Sequence, residues 1–483
     1  MPEAPSPILR QIRERNQAQR GKSAKDASDF IYMSIDEMFD TPYAEVKATQ
    51  LSTLQQRFET MRSAVAPLQQ LATRQGIDRI NSIEDAAPLL FGPKVLKSYP
   101  LSLLENNQFD KLTEWLGRLT THDLSSVDVS GCDTIDAWLD KLEAQTPLRV
   151  MHSSGTSGKL SIIPRSVTEM AHLVEIWFKY LDGYKDDRYG DDIRALGGTV
   201  PMFLPTYRHG RHIQRPLGIA YPEICGTEDQ FICAFPGKLS ADLLTLGGRL
   251  AAAEAKGEAG QLSLNPGLLA KRDELIEFQK RQPEYLDDFF KRMLDFKGRR
   301  VFVAGTWSTH LMATLAGEER GASHLFASNS FPIAGGGKKG QAFPDDWYER
   351  ICRFYGMREM RANYGMVEMT GLMQQCREGH YHPWPHQIPY LLDLADGTPL
   401  LREGTQRGRF GFMDLSAETY WGGGLSGDLV TIAWDTPCAC GRQGPYVEPS
   451  IERLSERDGG DDKISCAGAQ AAHDAALDFL TKL

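Results

Sequence analysis

One stretch limits the fold more than any other: His152-Ser153-Ser154-Gly155-Thr156-Ser157-Gly158-Lys159. Leu148-Arg149-Val150-Met151 precedes it and Leu160-Ser161-Ile162-Ile163 follows, so the spacing predicts strand, loop, strand. Glycines let successive backbone N–H groups face one concavity, which suits an anion. The hydroxyls add donors and Lys159 adds a point charge. A polyphosphate is the expected occupant. A Walker loop is excluded, because Leu160 stands where Ser or Thr must follow the lysine. Read alone, the stretch also fits a flexible polar turn.

The rest of the chain predicts an α/β protein. Residues 1–28 are polar and Arg/Lys-rich, which reads as a solvated leader. From Ile35 to Gly76, apolar residues such as Leu51, Leu54, Phe58 and Met61 recur at helical steps. Helices are also expected at Asn107–Leu119 and Thr134–Leu142, so residues 29–145 form a helical region. Beyond the loop, helices are expected at Glu169–Tyr180, Glu274–Phe296 and Asp345–Phe354. Strands are expected at Ile193–Leu204, Arg300–Gly305 and Leu325–Ile333. This alternation is the α/β pattern. Residues 146–464 make the core, and 465–483 a short C-terminal segment with a helix at Gln470–Leu480.

Composition narrows the function. The net charge of -10 argues against a nucleic-acid binder. No run approaches the roughly 18 apolar residues of a membrane span. The N-terminus carries no apolar signal segment, so cytoplasm is the expected location. Cysteines there stay reduced, and clustered ones suggest metal or catalysis.

Three further motifs follow the loop in order: Gly335-Gly336-Gly337-Lys338, then Asn363-Tyr364-Gly365-Met366-Val367-Glu368, then Ser426-Gly427-Asp428-Leu429. With Ser153–Lys159 they resemble the motifs of the adenylate-forming superfamily. The phenylacetate-CoA ligase and LuxE-type acyl-protein synthetase branch is the nearest likeness, through Lys97-Ser98-Tyr99-Pro100 and Cys438-Ala439-Cys440-Gly441-Arg442. The resemblance implies the superfamily's large N-terminal domain, with mixed and parallel sheets flanked by helices. It implies ATP held at Ser153, Ser154, Gly155, Thr156, Ser157 and Gly158, with Lys159 on the phosphates. Gly335, Gly336 and Gly337 would admit the adenosine, with Asn363, Tyr364, Gly365 and Met366 beside it. Glu368 would hold Mg²⁺, in keeping with a hard cation's preference for oxygen ligands. Asp428 would accept from the ribose hydroxyls. Arg457 is the first choice for a ribose and phosphate arginine and Arg453 the second. Val367 replaces the usual threonine.

Cys376, Cys438 and Cys440, with His380 and His382, offer three thiols and at least one imidazole, a ligand set for tetrahedral Zn²⁺. His382 is preferred to His380. The branch resemblance implies the same structural zinc.

The resemblance also predicts a mobile C-terminal domain carrying a lysine. Little chain follows Ile464, so that domain is expected to be absent or vestigial, with a partner subunit completing the site. Lys463 and Lys482 are default substitutes. Cys466 could carry an acyl thioester, as in the LuxE type, or be a small apolar residue. The expected activity is ATP-dependent activation of a carboxylic acid to an acyl-adenylate. Transfer to a thiol or amine follows, on a protein cysteine, CoA or a carrier protein. A LuxE-like fatty-acyl protein synthetase leads. An aryl-acid CoA ligase, an amide-forming ligase and a nucleotide-binding subunit without turnover are the alternatives.

Overall fold

The computed structural model describes residues 6–153, 158–182, 198–254, 257, 266–336, 343–454 and 469–482. Two larger sheets and one small hairpin organise the chain. The hairpin pairs β1 (Met151–His152) with β2 (Ile162–Ile163), antiparallel, Met151 opposite Ile163. Its loop is the Ser153–Ser161 segment.

The larger sheet holds β3 (Met202–Gly210), β4 (Phe231–Leu239), β5 (Phe302–Thr306), β6 (Phe331–Gly335), β7 (Arg361–Tyr364) and β8 (Met373–Gln374). Their order is β4-β3-β5-β6-β7-β8. The first five run parallel and β8 is antiparallel. Helices Gln214–Ile224, Arg272–Asp295, Trp307–Glu318 and Trp347–Tyr355 lie between successive strands, as parallel pairing requires. β3 and β5 are buried through their apolar stretches, as expected of strands covered on both faces.

The second sheet is antiparallel. It holds β9 (Gln387–Leu392), β10 (Thr405–Asp414), β11 (Gly423–Ala433), β12 (Tyr446–Val447) and β13 (Glu452–Arg453). Its order is β12-β11-β10-β9, with β13 also on β11. Phe91 extends this sheet by bridging Gly424.

A buried carboxylate ties the pieces together. Ser166 caps helix Val167–Lys179, accepting from Glu169 N at 3.2 Å, while Glu169 accepts from Ser166 N at 2.5 Å. This is a capping box. The same carboxylate accepts from Glu418 N at 2.7 Å and Thr419 N at 2.8 Å. The hairpin's following helix is thereby fixed to the loop that leads into β11.

Three expectations change. Residues 7–19 are a helix, Pro7–Gln19, and not a solvated leader. Ser6 accepts from Leu9 N at 3.3 Å, and Ile8, Leu9 and Ile12 are buried in one cluster with Met170, Val174 and Leu217. The charged face hid a narrow apolar stripe. The strand expected over Leu325–Ile333 begins only at Phe331. Leu325 N and Phe326 N instead donate to Phe354 O and Tyr355 O, at 3.1 and 2.8 Å, at the end of helix Trp347–Tyr355. Those carbonyls lack helical partners and capture the apolar run before it reaches the sheet. The strand expected from Ile193 begins at Met202, and residues 193–197 lie outside the described residues.

The C-terminal helix Ala469–Lys482 packs on helices Ala241–Glu254 and Arg272–Asp295. Ala476 and Leu480 share a cluster with Leu243, Leu246 and Leu268. Tyr207 donates to Asp474 at 2.7 Å.

Candidate active site and candidate metal centre

The phosphate-type hairpin is held open by short bonds. Ser153 N donates to Ser161 O at 3.0 Å, and Ser161 N donates to Ser153 Oγ at 2.8 Å. Tyr99 wedges behind it: its hydroxyl accepts from Leu160 N at 2.9 Å and donates to Leu160 O at 3.0 Å. Lys159 Nζ donates to Tyr99 O at 2.7 Å and lies over the Tyr99 ring. Burial, with the Lys97 charge, lowers the Lys159 pKa below the ordinary lysine value. Gly158 has φ +77°, and a Cβ there would meet Arg249 Cγ at 3.0 Å. Ser154, Gly155, Thr156 and Ser157 lie outside the described residues.

A cavity lies beside this hairpin. Ser153, Ser161, Lys97, Glu368, Asp428 and Arg453 all line it. The elements that place them are separate in sequence: the hairpin, the Val95–Lys97 turn, the loop after β7, β11 and β13. Among the described residues, Lys97 is therefore the lysine on the wall, with Lys159 set behind it against Tyr99.

Asp428 sits mid-β11, 7% exposed, opposite Arg453 of β13 in the strand register. Arg453 Nε donates to one carboxylate oxygen at 3.0 Å, and the Tyr364 hydroxyl donates to the other at 3.1 Å. Burial, then the Asp428 charge, pushes the Tyr364 phenol well above its usual range. The carboxylate is thus oriented by two donors and keeps lone pairs for further hydroxyls. The Tyr364 ring itself packs between Tyr381 and Phe410. Arg457, the first choice for this arginine, lies outside the described residues, as do Gly337, Lys338, Lys463 and Cys466.

Glu368 is half-buried on the cavity wall. Burial raises its pKa, against the pull of Lys97, Arg165 and a Ser161 hydrogen bond. A cation beside it would hold it ionised. One carboxylate with phosphate oxygens is a fitting set for Mg²⁺.

Arg165 was absent from the sequence reading. It is 0% exposed. Its guanidinium donates to Thr370 Oγ1 at 2.7 Å, Val367 O at 3.1 Å and Glu368 O at 3.3 Å. Among the described residues its Nε has no hydrogen-bond partner. It clamps the Glu368 loop to the end of β2. The available signal was one charge inside the apolar run Ile162-Ile163-Pro164-Arg165.

Gly335, Gly336, Gly365 and Met366 border a second cavity, which shares Met366, Asp428 and Arg453 with the first. Asn363 is buried within β7, between β6 and β8, its Nδ2 donating to Ala334 O at 3.4 Å.

The metal-type cluster forms elsewhere, between β8 and the loop before β12. Cys376, His382, Cys438 and Cys440 are all buried, their ligand atoms within 4.8 Å of one another. Cys376 Sγ lies 3.8 Å from Cys438 Sγ, and Cys440 Sγ lies 3.4 Å from His382 Nε2. A tetrahedron with 2.3 Å Zn–S bonds has sulfur–sulfur edges of about 3.8 Å. The donor set therefore fits Zn²⁺. Without a cation, the neighbouring Cys376 sulfur pushes the Cys438 thiol up to about 11 and the Cys440 thiol higher still. His380 stands outside the four, its Nδ1 3.2 Å from Cys438 Sγ and its ring stacked on Tyr446 at 4.2 Å. It is placed to hold the Cys438 sulfur from behind.

No family model matches the chain, and no curated protein matches it. Solved structures do. One is an open conformation of 2-hydroxyisobutyryl-CoA ligase in complex with 2-HIB-AMP and CoA. It is 12% identical, covering 86% of this chain and 76% of that one at a TM-score of 0.48. Another is O-succinylbenzoate coenzyme A synthetase from Bacillus subtilis, in complex with ATP and magnesium ion. It is 14% identical, covering 65% and 51% at a TM-score of 0.32. A third is a luciferase-like enzyme from the mealworm Zophobas morio, 14% identical, covering 71% and 63% at a TM-score of 0.32. Likeness at this level carries no activity to the chain.

Proposed function

We propose that this protein is an adenylate-forming enzyme that activates a carboxylic acid with ATP. The observation that carries the reading is the convergence of Ser153, Ser161, Lys97, Glu368, Asp428 and Arg453 on one cavity. Asp428, oriented by Arg453 and Tyr364, accepts from ribose hydroxyls. The hairpin's N–H and hydroxyl groups and Lys97 receive the phosphates. Glu368 would hold Mg²⁺, which supplies charge neutralisation on the phosphate oxygens.

A carboxylate oxygen of the acid forms a bond to the α-phosphorus, and the α–β phosphoanhydride bond breaks. Acyl-adenylate and pyrophosphate result. A thiolate then attacks the acyl carbon, the C–O bond to AMP breaks, and the thiol proton passes to solvent. The residues contribute positioning and fixed charge rather than a covalent intermediate in the first step. The acceptor in the leading reading is a protein cysteine, as in a LuxE-like fatty-acyl protein synthetase, with a partner subunit and Cys466 as a thioester site. CoA, a carrier-protein thiol or an amine are the rival acceptors. Zn²⁺ at Cys376, His382, Cys438 and Cys440 is structural in this reading, since all four ligands come from the protein. Cytoplasm is the proposed location.

Acid-dependent exchange of labelled pyrophosphate into ATP tests the proposal. Exchange that rises with added acid supports it. ATP binding with no acid-dependent exchange leaves a nucleotide-binding subunit and removes the enzyme reading. A hydroxylamine-sensitive acyl-protein band, lost in Cys466→Ala, would favour the acyl-protein synthetase over a CoA ligase.

A further inference from the structure

The strand that leads into the phosphate hairpin is held by a carboxylate outside both cavities. Glu143 lies near the end of helix Ile135–Gln145, and its Oε1 accepts from Val150 N at 2.9 Å. Arg215 grips the same carboxylate with both arms, Nη1 at 2.5 Å from Oε1 and Nη2 at 2.6 Å from Oε2. The same Nη1 donates to Val150 O at 2.9 Å. One ion pair therefore fixes both backbone groups of Val150. Arg211 adds longer bonds, 3.3 Å to each carboxylate oxygen, and its own carbonyl accepts from His152 N at 3.1 Å. The His152 ring is buried, with Nδ1 2.9 Å from Ser153 O. The chain from Val150 to Ser153, where it enters the first cavity, is thus referenced to Glu143 and its two arginines.

We propose that Glu143 is a positioning residue for the nucleotide: through Arg215 and Val150 it sets the direction in which the hairpin presents its N–H and hydroxyl donors to ATP. The inference rests on the adenylation reading and adds to it a residue that touches no substrate. Stability alone is a poor account of this arrangement. The side chains of Glu143, Arg211 and Arg215 are 13%, 6% and 16% exposed, so the charges lose most of their water. Apolar side chains of the same volume hold a helix at least as well, and the best-attested use of a buried ion pair is to fix register. A bidentate guanidinium–carboxylate pair fixes orientation as well as distance. What it orients here is the peptide at the foot of the hairpin. Asp140 supplies an internal comparison. It also pairs with Arg211, but its side chain is 62% exposed and, among the described residues, it bonds no residue of the hairpin.

Equilibrium dialysis with labelled Mg·ATP tests this, on variants shown by thermal melts to be native at the assay temperature. Glu143→Gln should weaken ATP binding roughly tenfold, the loss expected when one charge-assisted phosphate contact is misaligned. Asp140→Asn takes a carboxylate from the same Arg211 and should bind ATP within about twofold of wild type. The double variant Glu143→Gln, Arg215→Met removes both charges at similar volume, so it keeps the test open where the single variant fails to fold. It should bind ATP as weakly as Glu143→Gln. A residue that served stability alone would lower the melting temperature and leave the ATP affinity of the native protein at the wild-type value. That result overturns the inference and leaves adenylation intact. Equal losses in Asp140→Asn and Glu143→Gln also overturn it, because the effect would then belong to Arg211 and not to the hairpin contact. Wild-type protein that binds no ATP overturns the inference and the adenylation reading together.

Discussion

Replacing Arg165 with methionine separates fold from function. The side chain keeps much of its length and loses its charge. Three hydrogen bonds disappear, to Thr370 Oγ1 and to the carbonyls of Val367 and Glu368. Charged-donor bonds of this kind contribute about 1.5–3 kcal/mol each, so their loss alone would cost several kcal/mol. Against that stands a guanidinium that is 0% exposed and donates to one hydroxyl and two backbone carbonyls, all neutral acceptors. Removing a buried charge of that kind relieves several kcal/mol. The two effects oppose, so net stability should change by no more than about 2 kcal/mol. The catalytic effect has no such offset. The Glu368 loop loses its anchor, and a misplacement of about 1 Å costs about a hundredfold in rate. The Glu368 carboxyl, already raised by burial, also loses a charge that lowers it. The proposed metal-holding role needs the ionised form, so on that proposal the acid limb of the pH profile moves to higher pH in the variant. Pyrophosphate exchange across pH, with a thermal melt, reads all three effects. An unshifted acid limb, or a rate loss matched by unfolding, would refute the clamp.

Metal analysis of purified protein should give one zinc per chain, and Cys440→Ser should lose it, at a stability cost of several kcal/mol. Absence of zinc in the wild type would remove that centre. Deleting residues 1–19 should destabilise by on the order of 5 kcal/mol, from three buried aliphatic side chains at about 1.5–3 kcal/mol each. A solvated leader would instead leave the denaturation midpoint unchanged. Burial opposes ionisation of Glu418, but the His172 hydrogen bond and the charges of His172, Arg57 and Arg15 hold its pKa down to about 2. That stabilisation is present above the unfolded pKa and is lost as pH falls from about 4.5 toward 2. Glu418→Gln should therefore destabilise at neutral pH and match wild type in acid, with denaturant melts at pH 7 and pH 2 as the check.

What could be read in advance follows a physical rule. Motifs whose chemistry is local were legible: the glycine-hydroxyl hairpin loop, the Asp428 strand and the Cys438-x-Cys440 turn each announce themselves within a few residues. His382, chosen over His380, is the histidine found among the four clustered ligands. Groups that act only through tertiary contact were not legible. Arg165 reaches carbonyls two hundred residues away, and Glu169 holds a loop about 250 residues away. The Arg453–Asp428 pair depends on strand register, which no local pattern encodes. The Pro7–Gln19 helix hid because its buried stripe is only three residues wide. The second cavity draws on segments far apart in the chain; its Gly335-Gly336 and Gly365-Met366 borders were marked as motifs, while its Leu173, Trp177 and Tyr180 wall was not.

The central claim is attack of a carboxylate on the α-phosphorus of ATP. Isotope transfer tests it most directly. Acid labelled with ¹⁸O in its carboxylate is turned over with ATP and an acceptor thiol, and the AMP is analysed by mass spectrometry. The account predicts one ¹⁸O in AMP per turnover, with labelled AMP formed more slowly in Glu368→Gln and Asp428→Asn. Label in inorganic phosphate with ADP as the nucleotide product, or unlabelled AMP, would contradict it.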